Sequence, residues 1–285
     1  MPKARRRRLH PLISSVVAAW AATATLAGQI IAPPPYETRF YTHDGRRLEA
    51  YLYRPSGNGP FPLVVYNHGS RPGEERIEWP VAFIGRLLTE AGYAVLVPER
   101  RGYGKSEGPT FTEEVGADRG QRFIARLDAE ADDLLKAVDH VTGDPGSRID
   151  PKRIAIMGWS FGGIVTTLAA SRSPRFAAVL VQAPGALNWD RSPDLRAALT
   201  RAAKRITVPI QCMAAENDAT TESARAICKN ARGTQDLKIY PPFTPTTVRA
   251  NTAPGHALFG SQGVAIWGPD ALAFLARHLP APSSR

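Results

Sequence analysis

Cysteine is scarce in this sequence. Of its 285 residues only Cys212 and Cys228 are cysteines, so one disulfide is the most it can form. No histidine lies close enough to either to suggest a metal site. Cys212 falls in an expected buried strand and Cys228 near the end of the helix after it. In an oxidising compartment the two could pair, and two inert buried thiols fit the sequence equally well. Acidic residues are missing from the N-terminus: none occurs before Glu37, whereas Lys3, Arg5, Arg6, Arg7 and Arg8 crowd the first positions. The formal net charge of +10 therefore overstates the basicity of the body, where 31 basic residues face 26 acidic ones. Those that remain are interleaved with acids, as on a solvated surface, which argues against a nucleic-acid partner. The chain also lacks an internal repeat and any sign of a second core, so one large domain is expected.

What is present begins with the N-terminal segment. Behind the basic tip, Pro11–Ala32 carries no charged residue and ends among small side chains in "ATATLAG". A basic start, an apolar middle and small residues at the end make a secretory signal peptide, with cleavage after Ala24 or Ala27. An uncleaved anchor is the competing reading, since the stretch is just long enough to span a bilayer. The expected division is 1–32 as signal or anchor and 33–285 as the folded domain. That places the domain outside the cytoplasm, periplasmic or secreted, and on a membrane only if the segment stays attached.

"PPPYE" at 33–37 reads as a linker. Two alternating runs around Asp44-Gly45 then signal a β-hairpin. "FPLVVYNHG" is a continuous apolar run of the kind buried on both faces of a sheet. A helix near 79–91, the strand "YAVLVPE", a glycine-rich loop at 101–120 and a helix over 121–142 follow. After the turn cluster "GDPGSRIDP" come "RIAIMG", a helix from 161, "FAAVLVQAP", a helix near 193–205 and "VPIQCMAA". A short helix, "LKIYPP" and a last helix at 268–278 close the series. Eight strands alternating with helices predict an α/β fold, a mostly parallel sheet covered on both faces.

Within this pattern "GWSFGG" at 158–163 stands between a strand and a helix. A Gly-x-Ser-x-Gly there puts Ser160 on a sharp turn, its hydroxyl projecting at the carboxyl end of the sheet. A serine needs a base. His256, in "TAPGHALFG" after the last strand, can hang over that edge. His10, His43, His140 and His278 lie in the wrong segments, and His68 leads into a loop with another task. The carboxylate that orients the base is expected to be Asp218, just after the penultimate strand, with Glu216 and Asp190 as the competing positions.

The segments "VVYNHGS", "PERRGYGKS", "GWSFGG", "AAEND" and "PGHALF" resemble the α/β-hydrolase superfamily, and within it the dienelactone-hydrolase-like and prolyl-oligopeptidase-like serine esterases. The resemblance spans about residues 36 to 280 and implies the α/β-hydrolase fold with little or no lid. It implies an oxyanion hole built from the backbone N–H groups of Ser70 and Phe161, and His68 as a residue shaping the turn. Dienelactone hydrolases proper use a cysteine where Ser160 stands, peptidases with a Trp-Ser elbow carry a β-propeller for which there is no room here, and haloalkane dehalogenases need an aspartate at the elbow. Glu99 stands where the family commonly has aspartate.

The expected function is an exported serine hydrolase cleaving a small carboxylic ester through an acyl-enzyme, with no metal and no organic cofactor. A peptidase or acyltransferase of the same fold is the alternative within enzymes. A hydrolase-fold binding protein is the alternative outside them, favoured if His256 lies away from Ser160. Tyr103, Trp159 and Trp189 are candidates for an acyl pocket.

Overall fold

Strand β3 (Phe61–Asn67) is buried at all seven positions, and its side chains alternate between two separate cores. Leu63 and Val65 join one apolar cluster, Val64 and Tyr66 the other. The same alternation runs through β5 (Ile149–Trp159) and β6 (Phe176–Gln182): Ile154, Ile156, Val179 and Val181 face one way, Ala155, Met157, Ala178 and Leu180 the other. A strand covered on both faces can only sit inside a sheet that helices flank on both sides.

This is the arrangement seen in a computed structural model, which describes residues 33–247 and 253–281. The described residues belong to one compact unit, Pro33–Arg285. The expected signal or anchor at 1–32 lies outside them, and among them no helix is long and apolar enough to cross a membrane. With β1 (Tyr36–His43), β2 (Arg46–Tyr53), β4 (Ala94–Glu99), β7 (Ile210–Ala215) and β8 (Gln235–Tyr240), the strands form one eight-stranded sheet of order β1-β2-β4-β3-β5-β6-β7-β8. β1 and β4 each run antiparallel to β2, and every other neighbouring pair is parallel. Helices α1 (Ala82–Glu90) and α8 (Val264–His278) cover one face. α3 (Gln121–Gly143), α4 (Phe161–Ala170), α6 (Pro193–Ala203) and α7 (Glu222–Asn230) cover the other.

From β3 the chain first moves outward to β4 and then returns past β3 to β5. That reversal leaves a crevice at the carboxyl ends of β3 and β5, where open α/β sheets bind their ligands. Ser70 and Ser160 follow β3 and β5, while Asp218 follows β7 and His256 comes after β8.

Several boundaries differ from the sequence reading. Tyr36 and Glu37 belong to β1, so the linker ends sooner, because Tyr36 pairs with Tyr53 across the hairpin. β5 begins at Ile149 rather than Arg153; Pro151 is tolerated because pairing with β3 is irregular between Phe61 and Leu63. Helix α8 starts at Val264, ahead of Gly268-Pro269. Proline favours the first helical position, but the buried Trp267, packed on Phe259 with ring centres 6.5 Å apart, draws an earlier turn into the helix. The loop at 101–120 contains a short helix, α2 (Phe111–Glu114), closed by a capping box between Thr110 and Glu113. A further short helix, α5 (Ala186–Trp189), follows β6. Cys212 and Cys228 are free, buried thiols. Burial pushes Cys212 well above the ordinary thiol value, and a hydrogen bond from Cys212 pulls Cys228 below it.

Candidate active site

Ser160 joins the end of β5 to the start of α4 with φ 58° and ψ −118°. A residue with a side chain avoids this region, and such strain persists only where the surroundings enforce it. Here its N–H donates to the Gln182 carbonyl at 2.9 Å, while its own carbonyl accepts from Gly185 at 3.2 Å. Two glycines make the turn possible. A Cβ on Gly162 would overlap the Asn67 carbonyl, and one on Gly158 would overlap the Gly162 carbonyl and the Thr166 hydroxyl. Asn67, the last residue of β3, ties the strand to α4 by donating from Nδ2 to Thr166 Oγ1 at 2.8 Å.

The expected base reaches Ser160 from the chain after β8. His256 lies in a 3-10 turn, Pro254–Phe259, and places Nε2 at 2.8 Å from Ser160 Oγ. Its Nδ1 lies 3.0 Å from both oxygens of Asp218. A carboxylate only accepts, so Nδ1 carries the proton and Nε2 is left with the lone pair that the serine hydroxyl needs. All three residues are buried. Glu216 and Asp190, the competing carboxylates, are exposed and touch neither. Asp218 is in turn fixed by accepting from the Ala219 N–H at 2.6 Å.

The remaining histidines are occupied elsewhere. His43 Nδ1 lies 2.8 Å from Asp133, His140 stacks on Tyr41 and His278 packs on Phe274. His10 lies outside the described residues. His68 is fully buried, and its Nδ1 donates to the Gly69 carbonyl at 2.7 Å. Its other nitrogen lies 3.1 Å from Glu99 Oε2 but off the axis of a hydrogen bond. Burial first, then the Arg100 charge, push its pKa down to about 4 against the pull of Glu99. At neutral pH the ring is uncharged, and Arg71, 2.5 Å from Glu99, is the carboxylate's counter-ion.

For the oxyanion hole, Ser70 follows the His68-Gly69 turn and Phe161 opens α4. The first N–H groups of a helix have no partner within it. Among the described residues the Ser70 N–H donates to no backbone carbonyl. The Phe161 ring is wedged between Phe111 and Phe123, at 5.0 and 5.6 Å, which holds the first turn of α4 in place.

The three aromatic pocket candidates fare differently. Trp159 is half-buried beside His256, ring centres 5.7 Å apart, and its indole N–H donates to the His256 carbonyl at 3.1 Å. Tyr103 is 1% exposed, with His68 against its edge and Arg71 and Arg100 over its ring. Trp189 is 6% exposed within the apolar cluster on the α3–α4 face of the sheet. These two are packing residues behind the site, because the arginines and the core leave them no open face. Sequence reasoning passed over Asn217, which donates to the Phe243 carbonyl and accepts from the Phe243 N–H, both at 2.9 Å. It thereby staples the loop carrying Asp218 to the chain leaving β8. Its place beside Asp218 in "AAEND" was the only signal for it.

Among the described residues no cluster of histidine, cysteine and carboxylates could hold a metal ion. Residues 79–209 match the prolyl oligopeptidase family. A quorum-quenching protein, AidA, of Acinetobacter baumannii is 33% identical over 150 residues, covering 53% of this chain and 44% of that one. The chain thus matches less than half of that relative's length. Among solved structures, the α/β-hydrolase GrgF from Penicillium superposes with a TM-score of 0.63 at 18% identity, covering 86% of this chain and 99% of that one. The Pyrococcus furiosus esterase Pf2001 superposes with a TM-score of 0.61 at 17% identity, covering 86% and 93%. The fold is the α/β-hydrolase fold, and the chain resembles its prolyl-oligopeptidase-like serine hydrolases.

Proposed function

We propose that this α/β-hydrolase-fold chain is an exported serine hydrolase that cleaves small carboxylic esters through an acyl-enzyme on Ser160. The observation that carries the reading is the unbroken chain of contacts from Ser160 Oγ to His256 Nε2 at 2.8 Å and from Nδ1 to Asp218 at 3.0 Å. A hydrolase-fold binding protein would have no need of it, and the separation of His256 from Ser160 that would favour such a protein is absent.

The residues then act in turn. Ser160 Oγ attacks the ester carbonyl carbon as its proton passes to His256 Nε2, and Asp218 holds the imidazolium that forms. The carbonyl oxygen becomes an oxyanion facing the N–H groups of Ser70 and Phe161; losing one such donor typically costs about 2.7–4 kcal/mol of barrier. The imidazolium returns the proton to the leaving alkoxide, which departs as the alcohol. Water, deprotonated by His256, cleaves the acyl-enzyme in the reverse sequence, releasing the acid and restoring Ser160. The basic tip and uncharged run at 1–32 support export.

Hydrolysis of p-nitrophenyl esters from acetate to octanoate tests the reading, with Ser160→Ala beside the wild type. Turnover is expected to fall by about 10⁴-fold or more in the variant, and the chain-length profile sizes the acyl pocket. A variant as active as the wild type would sink the assignment of the nucleophile. Faster turnover of matched anilides would move the reading to a peptidase. Recovery of the protein outside the cytoplasm is the test of export.

A further inference from the structure

The peptide that supplies one oxyanion donor is gripped from behind by a buried arginine. Arg100 follows β4 and is 1% exposed. Its Nη1 donates to the His68 carbonyl at 2.7 Å, and its Nη2 to the Gly69 carbonyl at 3.4 Å. On its other side Nε lies 2.7 Å from Glu130 Oε2, on α3, and the guanidinium stacks over Tyr103 at 4.7 Å. Burial works against its charge, but Glu130 and Tyr103 outweigh burial, so the group stays protonated. The loop it holds lies against the nucleophile: a Cβ on Gly69 would stand 3.5 Å from that of Ser160.

The Gly69 carbonyl and the Ser70 N–H belong to one peptide unit. That unit is planar and trans, so its C=O and N–H point in opposite directions. Arg100 and His68 Nδ1 draw the carbonyl toward the interior, which turns the N–H of Ser70 outward. Donors on the carbonyl also polarise the amide and make its N–H a stronger donor. A lysine's compact ammonium cannot hold all three groups at once, whereas the planar guanidinium fork spans two carbonyls and a carboxylate.

We infer that Arg100 is a positioning residue for oxyanion stabilisation, aiming the Ser70 N–H by anchoring the carbonyl of the same peptide. The inference rests on the serine-hydrolase reading above and adds to it a residue that touches neither substrate nor triad.

The test compares full-length wild type, Ser160→Ala, Arg100→Lys and Arg100→Gln in ester hydrolysis. In either folded Arg100 variant, kcat is expected to fall about ten- to a hundred-fold, below the bound for outright loss of an oxyanion donor. KM is expected to stay within about two-fold, since the loss is confined to the transition state. Phosphonate labelling of Ser160, which also builds charge on that oxygen, should slow in parallel. The pH at which kcat/KM reaches half its plateau should not move, because the Ser160–His256–Asp218 contacts do not involve Arg100. Wild-type kcat in a folded variant overturns the inference, and so does a loss of kcat accompanied by a shift of that pH. If neither variant folds, a crystal structure of the wild-type phosphonate adduct decides. Ser70 N–H on the phosphoryl oxygen, with Arg100 still on the Gly69 carbonyl, supports the inference; an oxygen held by other donors overturns it. A wild type that neither turns over esters nor takes the label defeats the underlying reading as well. Serine-dependent turnover with Arg100 variants at full kcat defeats this inference alone.

Discussion

Within the elbow the tightest constraint falls on Gly162. Ser160 can hold its φ of 58° only because α4 starts hard against the end of β3, and a methyl group on Gly162 would overlap the Asn67 carbonyl. Backbone does not yield as a flexible side chain does, so the strand end, the elbow or both must move. Gly162→Ala is expected to lower stability by about 1–3 kcal/mol, the usual range for overpacking. It should also reduce kcat/KM by an order of magnitude or more, because a misplacement of about 1 Å at the nucleophile is costly. Urea titration and ester hydrolysis check the two effects separately; a variant unchanged in both would mean that the close approach does not exist. The glycine was legible because its spacing from Ser160 has one mechanical meaning between a strand and a helix. Ser160, Asp218 and His256 were legible for a related reason: each follows a strand, and in a parallel sheet every such loop emerges at the same edge. Asn217 and Arg100 were not, because a side chain's long-range partner leaves no trace in periodicity.

At the scale of elements, α3 shows where pattern reading stops. Its apolar spacing was plain, and Phe123, Leu127, Leu134 and Val138 do face the core. The same buried face also carries Arg126, Glu130 and Asp133, which a hydrophobic stripe would leave to solvent. The acids are buried because the two arginines that follow β4 meet them. Arg101 grips Asp133 with Nε at 2.6 Å and Nη2 at 2.7 Å, and Arg100 meets Glu130. Oδ1 of Asp133, which Arg101 Nη2 meets, also lies 2.8 Å from His43 Nδ1 of β1. Removing one member of a buried pair strands the other, at a cost of about 3–5 kcal/mol. Asp133→Ala is therefore expected to lower the unfolding free energy by that much, read as a lower denaturant midpoint at unchanged slope. A loss below about 1 kcal/mol would show that Arg101 finds solvent or another partner. Within the same layer, α5 escaped notice because four residues are too short for a periodic signal.

For the molecule as a whole, the buried charges around His68 set how stability responds to acid. The formal charge of +10 would suggest repulsion that grows as pH falls, yet that acts on the surface and is spread over many groups. His68 is different, because it lies wholly inside, between β3 and β4, facing Glu99, Arg100 and Arg71. Burial and the Arg100 charge hold it down to about 4 in the folded protein, whereas an unfolded histidine titrates near about 6.5. Between those values the unfolded chain binds a proton that the folded chain refuses, so stability falls as pH falls through that window. The contribution is fully present above about 6.5, and the loss reaches about 3 kcal/mol by the bottom of the window, taking 1.36 kcal/mol for each pKa unit. His68→Gln carries no such proton, and an amide can still donate to the Gly69 carbonyl. Urea midpoints measured for both proteins from neutral pH to about 4 should therefore converge or cross as the wild type loses its advantage. Parallel curves would mean that His68 titrates alike in the folded and unfolded chains, and a wild type that gains on the variant as pH falls would mean that the folded ring holds its proton. In that last case Glu99 would be balanced by His68 as well as Arg71, and the loop carrying Ser70 would be held by an ion pair as well as a hydrogen bond.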